Sequence, residues 1–220
     1  GDSSLRTLST ALLEYQNKNF NLIHLGGDDC MYLIGEKLNS NSCPNKNIGE
    51  MDKFVENINN STIIYGGRLP RYLSGTGFDN SFVAEDNDIK VIDNFESKVV
   101  ETIETLALKN RVILLYPIPE QGWNVPELYF YNKFKWGDTI SYPSSIWSIR
   151  VEDSNLLLNS VNNNNILRVY PENIFCDSFV QSECVGAFND QIFYSDDDHL
   201  SLEGSRLLAK EIVKILKINY

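Results

Sequence analysis

Leu5, Leu8, Leu12 and Tyr15 recur at the spacing of one helix face directly after an opening Gly-Asp-Ser, and the apolar run from Phe20 to Leu25 that follows reads as a buried strand. The alternation repeats. Met51, Phe54, Val55 and Ile58 predict a helix before a strand at Thr62 to Tyr65, and Phe95, Val99, Ile103 and Leu106 predict another before Val112 to Tyr116. Beyond Pro117 the pattern loosens into a Pro- and aromatic-rich stretch reaching Pro143. A helix over Ser145 to Val161, a turn at Asn162 to Asn165 and a strand over Ile166 to Tyr170 are expected next. Ser201 stands where it can cap a last helix striped by Leu208, Ile212, Ile215 and Leu216. Helices alternating with short buried strands predict an α/β three-layer sandwich, a mainly parallel sheet flanked by helices on both faces. No internal repeat or linker interrupts residues 1–220, which are read as a single domain. A sheet of this kind ordinarily has a strand leading into its first turn, yet the sequence opens at Gly1; either it is cut there from a longer chain or the sheet is completed differently.

Charge narrows the partners. With 19 basic against 30 acidic residues, a formal charge of −11, the chain lacks the clustered Lys and Arg from which nucleic-acid affinity is drawn, and an anionic lipid surface is disfavoured for the same reason. No apolar run reaches the roughly 18 residues that would span a bilayer, and this stretch of chain is expected to be soluble. The four cysteines fall as two local pairs, Cys30 with Cys43 and Cys176 with Cys184. Neither pair has the close spacing of a metal site, so disulfides formed in an oxidising compartment are expected, with free buried thiols as the alternative.

Serine hydroxyl is a poor nucleophile near neutral pH and needs a histidine to take its proton and a third group to orient that histidine. Two segments offer such parts. Ser3 sits in Gly1-Asp2-Ser3 at the start of the first helix, where Asp2 or Ser3 acting only as a helix cap is the plainer reading. His199 follows Asp196 by three residues on a loop before the last helix, a spacing that lets the carboxylate bond one imidazole nitrogen while the other faces a serine. Asp28-Asp29 and Glu85 to Asp88 lack the ordered spacing of a calcium loop. His24, within the apolar run, reads as a core histidine, and Trp123, Tyr142 and Trp147 read as packing aromatics before they read as a sugar platform.

An N-terminal Gly-Asp-Ser joined to a C-terminal Asp-x-x-His on an α/β chain resembles the SGNH or GDSL hydrolase superfamily, whose fold is flavodoxin-like. Segments 66–75, opening Gly66-Gly67-Arg68-Leu69-Pro70, 117–126, opening Pro117-Ile118-Pro119-Glu120, and 193–201, Phe193 to Ser201, look like those of bacterial SGNH domains fused behind acyltransferase-3 membrane domains. The match runs essentially end to end. It implies a serine-dependent acyltransferase or esterase with Ser3 as nucleophile, His199 as general base and Asp196 as its orienter, while Asp197 and Asp198 match no catalytic position. It also implies an oxyanion hole, for which Ser3, Gly26 or Gly27 and Arg68 are the candidates because the superfamily's Gly-x-Asn-Asp segment is missing. Arg68 has two further readings, an anchor for a substrate anion and a structural salt bridge. The function implied is O-acyl transfer, above all O-acetylation of a sugar hydroxyl on a cell-surface polysaccharide or lipopolysaccharide. The acyl group would be delivered by an upstream transmembrane domain of the same chain, ultimately from acyl-CoA, with no metal or cofactor of the domain's own. The place implied is extracytoplasmic, in a bacterial periplasm or at the cell surface, tethered to the inner membrane. A secreted carbohydrate esterase with the same triad and a non-catalytic glycan-binding module are the competing readings.

Overall fold

A computed structural model describes residues 2–15, 20–26, 31–35, 45–78, 93–132 and 138–218. In chain order these form a 3-10 turn at Ser3–Leu5, α1 (Arg6–Leu13), α2 (Asn45–Asn57), β1 (Thr62–Tyr65), α3 (Leu69–Ser74), α4 (Phe95–Ala107), β2 (Arg111–Leu115) and α5 (Val125–Asn132). The second half adds β3 (Ile140–Pro143), α6 (Ser144–Ser160), β4 (Ile166–Val169), α7 (Glu172–Phe175), β5 (Glu183–Phe188), β6 (Gln191–Ile192) and α8 (Leu202–Ile218).

The main sheet has the order β1-β2-β4, all parallel, with Thr62 opposite Arg111 and Val112 opposite Ile166. β2 is its middle strand and is buried on both faces, which is why it reads as an unbroken apolar run. Val112 and Leu114 pack with Val99, Ile103 and Leu106 of α4, whereas Ile113 and Leu115 pack with Leu8 and Leu12 of α1 and Leu208 and Ile212 of α8. Two helical layers thus cover one sheet. The two triad segments are brought together by this arrangement, because α1 and α8 lie side by side on one face and the loops that open them meet at the rim.

Part of the chain departs from the expected elements. Residues 20–26 form no strand; Phe20 is 40% and Ile23 59% exposed, and His24 lies on the surface, not in the core. An apolar run specifies burial only if the sheet has room beside it, and that is information the run does not carry. A second, antiparallel sheet β3-β5-β6 also emerges from the stretch in which the hydrophobic pattern loosens. Its β5–β6 hairpin turns on Asn189 and Asp190, both with positive φ, the conformation of a tight two-residue turn. Cys176 faces Cys184 across an antiparallel bridge, and the two are disulfide-bonded. Cys30 and Cys43 lie outside the described residues.

Candidate active site

Asp2 fixes the first half of the site. Its carboxylate is buried and accepts bonds from the Ser4 amide at 3.1 Å, the Ser4 hydroxyl at 2.5 Å, the Arg68 amide at 2.7 Å and the Tyr72 hydroxyl at 3.2 Å. It therefore caps the turn that opens α1 and also ties that turn to the opening of α3. Gly67 permits the approach, since a Cβ there would stand 2.8 Å from Asp2 Oδ2. Ser3, held between Asp2 and Ser4, is half-buried.

The second half is the loop before α8. Asp196 Oδ1 accepts from the amides of Asp198 at 3.0 Å and His199 at 2.7 Å, folding the chain into a tight turn that brings carboxylate and imidazole together. The Ser195 amide donates to the His199 carbonyl at 2.8 Å. Outside the loop, the amides of Gln121 and Val125 donate to the carbonyls of Asp197 and Asp196, which anchors it to the segment after β2. Ser201 caps α8 by accepting from the Gly204 amide at 3.1 Å.

These halves meet. Ser3 Oγ lies 2.8 Å from His199 Nε2, and His199 Nδ1 lies 2.8 Å from Asp196 Oδ2. Ser3, His199 and Asp196 are thus joined in series across 196 positions of sequence. A second carboxylate reaches the same ring nitrogen, Asp198 Oδ1 at 3.0 Å from Nδ1. Those two carboxylates raise the His199 pKa to about 10 against the opposing effect of burial. Burial would raise Asp196, but its bonds from His199 and from the loop amides bring it down to about 2.

Arg68 lies at the start of α3, after β1. Its Nη1 lies 2.6 Å from Asp198 Oδ2, and its Nε bonds Glu120. Glu120 is also held by Arg150 Nε at 3.2 Å, and Arg150 reaches on to the Ser74 hydroxyl and the Thr76 carbonyl. The contacts use Nε and Nη1 of Arg68 on acids of this chain. Gly26 is half-buried at the end of the 20–26 run, and Gly27 lies outside the described residues. Tyr142 and Trp147 are buried, while Trp123 is half-buried and meets Tyr142 edge-on. The sequence reading gave Asp198 no role and did not single out Glu120 or Arg150; the adjacency of Asp198 to His199 and the place of Glu120 in the Pro117-Ile118-Pro119-Glu120 segment were the signals for two of them.

Among the described residues one cluster, Asp196, Asp198 and His199, brings potential metal-ligand atoms within 4.8 Å of one another. The nitrogen it would offer is Nδ1, whose proton sets the tautomer that leaves Nε2 facing Ser3. A cation there would displace that proton, so the geometry suits proton transfer between Ser3 and His199.

A helix-covered parallel sheet bearing serine at the opening of the first helix and Asp-x-x-His at the opening of the last defines a domain of the SGNH class. The chain belongs to the family of SGNH domains fused to AT3 domains, whose family model matches residues 1–214. Among solved structures, it is similar to the periplasmic domain of a lipopolysaccharide acetyltransferase from Salmonella ser. Paratyphi A. The TM-score is 0.61 at 13% identity, covering 99% of this chain and 81% of that one. Comparison with curated proteins finds no match. No helix among the described residues is long and apolar enough to cross a membrane.

Proposed function

We propose that the domain transfers an acyl group, an acetyl in the first instance, to a sugar hydroxyl of a cell-surface polysaccharide or lipopolysaccharide through an acyl-Ser3 intermediate. The observation that carries this reading is the unbroken hydrogen-bond series from Ser3 through His199 to Asp196. In the first half-reaction Ser3 Oγ attacks the acyl carbonyl while His199 Nε2 takes its proton; the tetrahedral intermediate collapses, and the same proton passes to the departing group. In the second, His199 takes the proton of the acceptor hydroxyl, which attacks the acyl-serine, and returns a proton to Ser3 Oγ. Asp196 holds the imidazole in the required tautomer throughout.

The oxyanion formed in each half-reaction needs donors. The Ser3 amide is the first of these in the reading, with Gly26 or Gly27 and the guanidinium of Arg68 as further candidates. Membership of a family fused to AT3 domains supports an acyl donor supplied by an upstream membrane domain; the reading takes the acyl group to come ultimately from acyl-CoA and gives this domain no metal or cofactor of its own. The likeness to a periplasmic lipopolysaccharide acetyltransferase domain supports an extracytoplasmic site of action and a glycan acceptor; a tether to the inner membrane is a further part of the reading.

A fluorophosphonate probe tests the nucleophile. It is expected to label the wild-type protein once, at Ser3, and not Ser3→Ala; failure of the wild type to be labelled would leave only a glycan-binding module. Product analysis with an activated acetyl ester then separates transfer from hydrolysis. Acetylated sugar formed at the expense of free acetate supports transfer, whereas free acetate unaffected by any sugar acceptor makes the domain an esterase.

A further inference from the structure

Asp196 and Asp198 both approach His199 Nδ1, at 2.8 and 3.0 Å, yet they are held in different ways. Asp196 has a side chain 37% exposed, and its other oxygen is taken up by amides of its own loop. Asp198 has a side chain only 6% exposed, and its other oxygen meets Arg68 Nη1 at 2.6 Å. Removing an ionised carboxylate from water is unfavourable unless it gains partners of opposite charge, and here the partners come from separate parts of the fold. Arg150 on α6, Glu120 after β2, Arg68 at the start of α3, Asp198 and His199 form a chain of alternating charge in which each group touches the next. An ion pair serving the scaffold alone would need Arg68 and Glu120. It would not need the second oxygen of Asp198 aimed at the imidazole.

We propose that Asp198 is a second positioning acid for His199, sharing the Nδ1 proton with Asp196 and holding the imidazole toward Ser3 when the more exposed Asp196 is lost or displaced. This rests on the reading of Ser3 and His199 as nucleophile and base. The charged groups around the imidazole are Asp196, Asp197 and Asp198 on its own loop and Arg68 from α3, with Glu120 behind Arg68. Ser3 stands on the Nε2 side. Of these, Asp196 and Asp198 alone touch the ring at Nδ1 among the described residues.

The test follows acylation of Ser3 by a small activated ester across a pH range in Asp196→Asn, Asp198→Asn and the double variant. The His199 imidazole is titrated in parallel by NMR in a Ser3→Ala background. Each single variant is expected to lose about 10-fold, and the double variant about 10⁴-fold, the loss typical of a triad deprived of its orienting acid. The double loss then exceeds the product of the single ones, because each acid covers for the other. Asp198→Asn is also expected to move both the rise of the pH–rate profile and the NMR titration to lower pH, which a merely structural role would not do. Asp198→Ser provides a second replacement should the asparagine variant fail to fold. The proposal is overturned if Asp196→Asn alone is as impaired as the double variant and Asp198 replacement leaves the titration of His199 where the wild type has it. If no ester labels Ser3 even in the wild type, the acyl-transfer reading fails, while the NMR titration still decides whether Asp198 acts on His199.

Discussion

Arg68 Nη1 stands 2.6 Å from Asp198 Oδ2, on the other oxygen of the carboxylate that meets His199. Its Nε binds Glu120, whose side chain is 3% exposed, so one guanidinium balances two buried acids. Truncation of Arg68 to alanine removes a counter-charge from both, leaving Glu120 with its bond from Arg150 and Asp198 with its contact to His199. The expected cost is about 3–5 kcal/mol, the range for breaking a buried pair by removing one partner. Urea unfolding of Arg68→Ala against the wild type measures it. Arg68→Lys is expected to recover little, since a compact ammonium cannot bond two carboxylates as the planar fork does. Acylation by an activated ester, measured where both proteins remain folded, tests the oxyanion role; an unchanged rate would remove Arg68 from the candidate donors.

Reduction of the Cys176–Cys184 bridge should be felt in stability. The bond closes a loop of sequence separation 8 and pins the end of α7 to β5. In the chain-entropy view a loop this short contributes about 2–3 kcal/mol. Thermal melts with and without a thiol reductant, and of the Cys176→Ser/Cys184→Ser variant, are expected to show that loss. A melt indifferent to reductant and to both substitutions would mean that strand pairing holds the segment unaided.

Legibility in the sequence followed periodicity. α1, α4, α6, α8 and the three strands of the main sheet lie within a residue or two of their predicted bounds, because each has one buried stripe or two buried faces. The meeting of Ser3 with His199 was foreseeable only from paired motifs at opposite ends of the chain, since nothing local records that α1 and α8 are neighbours. The 20–26 run misled because burial depends on what lies beside it. β3, β5 and β6 escaped because each carries polar residues, Gly or Pro within it and none follows a helix-periodic stretch as β1, β2 and β4 do, while the Asn189-Asp190 turn that joins two of them resembles any polar loop. The roles of Glu120 and Arg150 were invisible for another reason: buried ions declare themselves by their partners, and those partners stand 52 and 30 residues away from Glu120.

Gly67 should tolerate no side chain. Its missing Cβ would stand 2.8 Å from Asp2 Oδ2, an oxygen that already accepts bonds from the Arg68 amide and the Tyr72 hydroxyl. Asp2 cannot swing aside without giving up these bonds and the cap on the turn that carries Ser3. Gly67→Ala is expected to destabilise the fold by about 1–3 kcal/mol, as overpacking commonly does. It should also slow Ser3 acylation by more than the change in folded fraction explains. Denaturant midpoints and single-turnover labelling of the same preparation check both parts, and wild-type values for both would show that Asp2 is less constrained than its four bonds imply.

The pH dependence follows from two opposite shifts. His199 has its pKa raised from 6.5 to about 10, chiefly by its bonds to Asp196 and Asp198. Its contribution to stability is therefore complete below about 6.5 and is lost as pH climbs toward 10. Asp196 is lowered from 3.8 to about 2, so its contribution is present above 3.8 and is lost as pH falls toward 2. The pair thus supports the fold best between about 4 and 6.5, and stability should decline on the alkaline side while the triad is intact. Catalysis runs the other way. The base in acylation is neutral imidazole, whose fraction grows about tenfold per pH unit below its pKa. Single-turnover acylation by an activated ester should accordingly keep rising from pH 7 to 9, with no plateau near the ordinary histidine value. A pH–rate profile and thermal melts over the same range measure the two trends together. A rate that levels off near pH 7 would mean that the carboxylates orient His199 without holding its proton.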